Sequence, residues 1–343
     1  GVVRILESET GKPIKEFSPA PVEAAASASA AAAVPVSRSE APVESNSLPP
    51  GGKVAAVEVS PSSLALQGSF DYAQLVVTAR LETGESIDVT RVAEATLSAP
   101  VAEVSRSGFV TPKAEGPATL QVTVGGKTAA VPVAVAGLKE EPRFDFIRDV
   151  NPVLSRVGCN AGTCHGSAQG KNGFKLSLRG YDAILDIRSL TDDLASRRVN
   201  VASPDDSLML MKTTGAVPHE GGKVMSPGDP YYRIIRGWIA QGAQLDLATP
   251  RVAKIEVAPI NPVVERIGAH QQVRVTATYA DGRVRDVTRE AYIESGNTEV
   301  ASAARGGLLT AVRRGEAPVL ARFEGAYAAT TLTVMGDRKG FAW

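Results

Sequence analysis

One segment of this chain occurs twice. Val77-Thr-Ala-Arg-Leu-Glu-Thr-Gly-Glu-Ser-Ile-Asp-Val-Thr-Arg91 aligns with Val275-Thr-Ala-Thr-Tyr-Ala-Asp-Gly-Arg-Val-Arg-Asp-Val-Thr-Arg289. Each copy reads as strand, glycine turn, strand, and ends on Asp-Val-Thr. Further on, Gly108-Phe-Val-Thr111 matches Gly307-Leu-Leu-Thr310. Both copies close on an alternating strand, Ala129–Val135 and Ala328–Val334. A repeat of this kind builds the same small unit twice. Short alternating strands separated by turns argue for β-sandwiches. The expected sandwiches are residues 53–137 and 251–336, with Thr90 and Thr288 in equivalent positions.

Both copies resemble the bacterial immunoglobulin-like group 2 domain over almost their whole length. Between them the period changes. Phe144, Ile147, Val150, Leu154 and Val157 recur at helical spacing, which predicts a helix running up to Cys159. A second helix is marked by Tyr231–Ala243, with Pro230 at its first position and Gly242 at its end. Tyr232, Ile235, Trp238 and Ile239 form its apolar face.

The segment after the first helix carries the chemistry. Cys159-Asn-Ala-Gly-Thr-Cys164-His165 holds both cysteines and one of the three histidines. Two thiols followed by an imidazole is the pattern for covalent attachment of a c-type haem. Each sulfur forms a thioether to a vinyl group, and the histidine beside the second sulfur binds the iron. The usual gap is two residues and here it is four, with Gly162 free to let the loop bulge. Two other readings stay open. The thiols can form a disulfide in an oxidising compartment. They can hold zinc, although the chain has no His-x3–5-His pair to complete such a site.

The middle segment, residues 140–247, resembles the cytochrome c-like domain of large secreted planctomycete proteins. The motifs are Gly158–Gly166, Gly173-Phe-Lys-Leu-Ser-Leu-Arg-Gly180, Ser196-Arg-Arg-Val-Asn200, Val217-Pro-His-Glu-Gly-Gly222 and Trp238-Ile-Ala-Gln-Gly-Ala243. The resemblance implies one covalent haem c, export from the cytoplasm, an immunoglobulin-like domain on each side and further C-terminal domains. The fold class expected is therefore two all-β sandwiches flanking a mainly α cytochrome c-like domain.

Haem with His165 on one face needs a second ligand or keeps an open site. His219 stands two residues beyond Val217, which replaces the methionine of the Met-Pro-Pro found in related cytochromes. Met225 is the rival ligand, while Met209 and Met211 read as packing residues. Arg197 and Arg198 are candidates for pairing with haem propionates, because guanidinium suits carboxylate. Trp238 reads as core, with the haem edge as one neighbour. His270, in the second sandwich, reads as an exposed turn residue.

The flanks are simpler. Gly1–Phe17 alternates, turns at Thr10-Gly11 and alternates again, a hairpin that resembles the end of a WD-repeat propeller blade. Residues 18–52 are low-complexity, rich in Ala, Pro and Ser, and read as a linker. Residues 337–343 read as a junction to further domains. The chain starts on Gly and reads as a mature form or a piece of a larger protein.

Lys plus Arg equals Asp plus Glu at 37 each, with no basic block, which removes the electrostatic footprint of a nucleic-acid binder. No apolar run is long enough to span a membrane. The function expected is electron transfer in the periplasm or outside the cell, with an unidentified redox partner. No base and nucleophile stand together, so catalysis is not the expected role. Two alternatives remain: a haem sensor or redox enzyme with an open sixth position, and an adhesion or structural protein with immunoglobulin-like spacers.

Overall fold

The computed structural model describes residues 3–6, 13–17, 48–49 and 51–336. The N-terminal unit, by itself, contains strands Val3–Leu6 and Pro13–Phe17, paired antiparallel. The turn between these strands, most of the 18–52 linker and the 337–343 junction lie outside the described residues. The described residues from Leu48 onward belong to a second unit.

That unit builds the same three sheets twice. In the first copy, Val54–Ser60, Val76–Leu81 and Ser86–Asp88 form one sheet. Leu64–Gln67, Lys127–Ala136, Gly116–Val124 and Glu94–Leu97 form a second, in that order. Ala73–Gln74, Phe109–Pro112 and Ala102–Val104 form a third. The second copy repeats this order, including the parallel pairing of its last strand, Ala326–Val334, with Val263–Val264. Alternation explains the faces: Val131, Val133 and Val135 turn inward while their neighbours stay exposed. Each copy closes its own apolar core.

Glycine is required at one matched place. Gly108 and Gly307 both have positive φ, and both carbonyls accept from the strand beside them, from Leu75 and Val273 at 2.8 Å each. A Cβ would meet Thr90 Cγ2 at 2.5 Å in the first copy and the Val273 carbonyl at 2.5 Å in the second.

Between the copies lies a domain with its own core, built on Phe146, Ile147, Leu154, Leu210, Ile235 and Trp238. Its α-helices are α1 (Asn151–Arg156), α2 (Ala183–Thr191), α3 (Leu208–Thr214) and α4 (Pro230–Ala240). A π-helical turn, Phe146–Val150, leads into α1. Pro230 is at the start of α4, and Tyr232, Ile235, Trp238 and Ile239 are its buried residues.

The expected fold class, with a mainly α cytochrome c-like domain as its centre, is corrected here for the chain as a whole. The described chain holds 22 strands against four α-helices, all of the helices short and the longest only eleven residues. The physical reason lies in residues 158–180. Gly158, Gly170, Gly173 and Gly180 all have positive φ, which a right-handed helix cannot use, so the chain turns repeatedly instead. The fold class is mostly β-sheet, in several small sheets. No described helix is long and apolar enough to cross a membrane.

Candidate functional site

The loop that follows α1 folds back on itself. Cys159 donates its N–H to the Leu154 carbonyl at 2.9 Å, which ends the helix. His165 N–H then returns to the Cys159 carbonyl at 3.0 Å, and Cys164 N–H to the Ala161 carbonyl at 2.9 Å. Gly166 makes the return possible: a Cβ there would lie 2.0 Å from the Asn160 carbonyl oxygen. The two thiols are free and half-buried. Burial, and then the neighbouring Cys164, pushes the Cys159 thiol up to about 12. It is therefore not a thiolate nucleophile at neutral pH.

His165 is fixed by a short turn that sequence reasoning passed over. Its Nδ1 lies 3.0 Å from the Phe174 carbonyl, and its ring lies 4.5 Å from the Phe174 ring. The carbonyl contact assigns the proton to Nδ1 and leaves Nε2 with the lone pair. Burial holds His165 below the ordinary imidazole range, helped by the nearby His219, Arg198 and Lys171. The Phe174 carbonyl opposes this. His219 shows the same device, with Nδ1 2.9 Å from the Gly222 carbonyl. An ion pair between Lys171 and Glu220, 3.4 Å, ties the two histidine loops together.

The other residues singled out by sequence have different places. Arg198 is buried and donates to the carbonyls of Ser189 (2.7 Å) and Gly173 (2.9 Å), with its guanidinium 4.7 Å from the Phe174 ring. It braces the turn that orients His165. Arg197 is exposed. Met225 is 3% exposed and belongs to the apolar core, as does Trp238, whose indole N–H donates to the Gln244 carbonyl at 2.9 Å. Met209 packs against that core, and Met211 is half-buried. His270 is corrected: it starts strand His270–Gln272, is half-buried and has Nδ1 3.0 Å from Thr310 Oγ1. Among the described residues no group of three or more His, Cys, Asp or Glu side chains can hold a metal ion, so the zinc reading has no ligand set.

A second constellation joins the two sandwiches. The backbone N–H of Gln74 donates to Asp286 Oδ2 at 2.8 Å, and that of Gln272 donates to Asp88 Oδ2. Asp88 and Asp286 are the aspartates of the two Asp-Val-Thr repeats. Around them, Arg91 donates to the Gln272 side chain at 3.0 Å, and the Tyr72 hydroxyl donates to Glu290 at 2.5 Å. The Tyr72 oxygen accepts the Arg289 N–H at 3.0 Å. The middle domain joins in through Arg285–Asp149 at 3.4 Å, Arg156 to the Ala291 carbonyl at 3.2 Å and Tyr231 to the Arg289 carbonyl at 3.2 Å.

No family model matches the chain, and no curated protein matches it. Solved structures do. Domains 5–6 of the surface-layer protein SbsC are 13% identical, with 83% of this chain and 99% of that one covered and a TM-score of 0.33. Domains 4–9 of the same protein are 13% identical over 84% of this chain and 32% of that one, TM-score 0.32. Extracellular domains 3–5 of Drosophila OTK are 7% identical over 83% and 63%, TM-score 0.17. These scores are too low to carry an argument about activity.

The resemblance to a planctomycete cytochrome c domain is corrected by these findings. No family model matches the chain, and its element map is mostly β-strand rather than helical.

Proposed function

We propose that this chain is a structural section of a protein outside the cytoplasm, a rigid spacer made of two immunoglobulin-like sandwiches braced by a middle domain. The observation that carries this reading is the reciprocal pair of bonds, Gln74 to Asp286 and Gln272 to Asp88. Flexible tandem domains touch through small polar surfaces and move. Here each sandwich buries a carboxylate oxygen against the other's backbone N–H, a pairing that a mobile linkage would break. Small-angle X-ray scattering of the whole chain tests this. A single fixed arrangement of residues 51–336 is expected. A profile that fits only independently tumbling sandwiches would refute it.

A second reading concerns the cofactor alone and leaves the β-rich fold class as corrected. It attaches haem to Cys159 and Cys164, with His165 and His219 toward the iron. One observation favours it: both histidines give Nδ1–H to a backbone carbonyl and keep Nε2 available, the orientation that metal-binding imidazoles use. Bound there, haem would supply redox chemistry. The test is mass spectrometry after maturation in a host that attaches haem covalently. Added haem mass that survives acid–acetone extraction supports the reading, and its loss defeats it.

A further inference from the structure

A cavity of about 110 Å³ opens where the three domains meet. Phe70 and Phe109 of the first sandwich, Phe144 and Tyr231 of the middle domain, and Arg285 and Glu290 of the second sandwich line it. Four guanidiniums (Arg148, Arg233, Arg285, Arg289) face three carboxylates (Asp71, Asp149, Glu290) in its wall.

The carboxylates are committed. Asp149 takes Arg148 at 2.7 Å and Arg285 at 3.4 Å. Glu290 accepts from Tyr72, and Asp71 accepts the N–H groups of Gln67 and Tyr72 at 2.9 Å each. Two guanidiniums are left. Arg289 lies 3.8 Å over the Phe109 ring and Arg233 lies 4.7 Å over the Phe70 ring. Among the described residues neither guanidinium has a carboxylate partner.

We propose that this cavity binds a small organic carboxylate, its charge on Arg233 and Arg289 and its apolar body among the rings. A guanidinium stacked on a ring keeps its edge donors free, and their planar fork matches a carboxylate. The cavity has room for roughly three or four waters, which limits the ligand to a small molecule. Sites of this make-up, apolar walls with a few convergent polar groups, occur at domain interfaces. A bound molecule would touch all three domains, so binding also stabilises the junction.

Calorimetric titration of the whole chain with acetate, whose four non-hydrogen atoms match the room available, tests the proposal, with inorganic sulfate as the comparator. Saturable acetate binding is expected, with a rise in melting temperature and weaker sulfate binding. Arg233→Ala with Arg289→Ala should weaken acetate by about tenfold or more. Arg233→Lys with Arg289→Lys should weaken it less, and serves if the alanine pair fails to fold. No saturable acetate binding, an unchanged affinity in both paired variants, or sulfate binding as tightly as acetate would each overturn it.

Discussion

The backbone N–H of Gln74 meets Asp286 Oδ2 across 2.8 Å, and the equivalent Gln272 meets Asp88. The two sandwiches thus pair as an internal pseudo-dimer with a self-complementary contact. In a symmetric homodimer the same patch serves both partners. Here the repeat has placed both partners on one chain.

Removing either carboxylate strands a buried donor. Asp88→Ala and Asp286→Ala should each cost about 1–3 kcal/mol, and the two losses should not add, because they share one interface. Asp→Asn keeps an acceptor and should cost less. Chemical denaturation of the parent, the two single alanine variants, their double variant and the two asparagine variants measures this.

Mild acid should stabilise the fold by relieving a buried charge at this contact. Burial pushes the Asp286 carboxyl from its ordinary 3.8 up to about 6, against the bonds from Thr288 and Gln74 that favour the charged form. Burial also raises Asp88. The folded state therefore holds a proton that the unfolded chain releases between about pH 4 and 6. Asp286 then lowers stability as pH rises through that window, by up to about 3 kcal/mol. Below it the penalty is absent. Stability measured from about pH 5 to 7.5 should fall in the parent and fall less in Asp286→Asn. Equal slopes would mean the group is not buried in this way.

The repeat was legible because it dictates identical hydrogen bonds. Thr90 Oγ1 accepts the Val77 N–H and Thr288 Oγ1 that of Val275, both at 2.9 Å. The pairing of the sandwiches was not legible. Its donors are backbone N–H groups of Gln74 and Gln272, which any residue other than proline supplies. The carboxylates that accept them were visible only as part of Asp-Val-Thr. In the middle domain, the apolar spacing of Phe144–Val157 located a helical segment but said nothing about residues beyond it. There the glycines turn the chain and produce short helices. The role of Phe174 was hidden for a related reason: its carbonyl, not its side-chain type, orients His165.

Gly166 tests the thiol loop. A Cβ would stand 2.0 Å from the Asn160 carbonyl and 3.0 Å from that of Ala161. Both are backbone atoms and cannot swing away. Gly166→Ala should open the loop, cost about 1–3 kcal/mol, and expose Cys159. The reaction of Cys159 with a thiol reagent should be markedly faster than in the parent at equal pH. An unchanged rate would show that the return from Cys159 to His165 does not depend on this glycine.

Arg198 connects packing to the chemistry of His165. Its two carbonyl partners tie α2, through Ser189, to the turn carrying Phe174, through Gly173. Arg198→Ala leaves both carbonyls without that donor, at a cost of about 1–3 kcal/mol. It also removes one of the positive charges that hold the His165 imidazole below its ordinary range. Two effects on His165 then oppose each other. Loss of the charge favours protonation, while loosening of the turn weakens the Phe174 carbonyl bond that also favours protonation. Greater access to water adds to the first, because burial is the largest cause of the depression. The His165 titration, followed by NMR, should therefore move upward in Arg198→Ala. Arg198→Lys keeps a charge and should move it less. A downward shift in Arg198→Ala would show that the Phe174 carbonyl, rather than burial and charge, governs this imidazole.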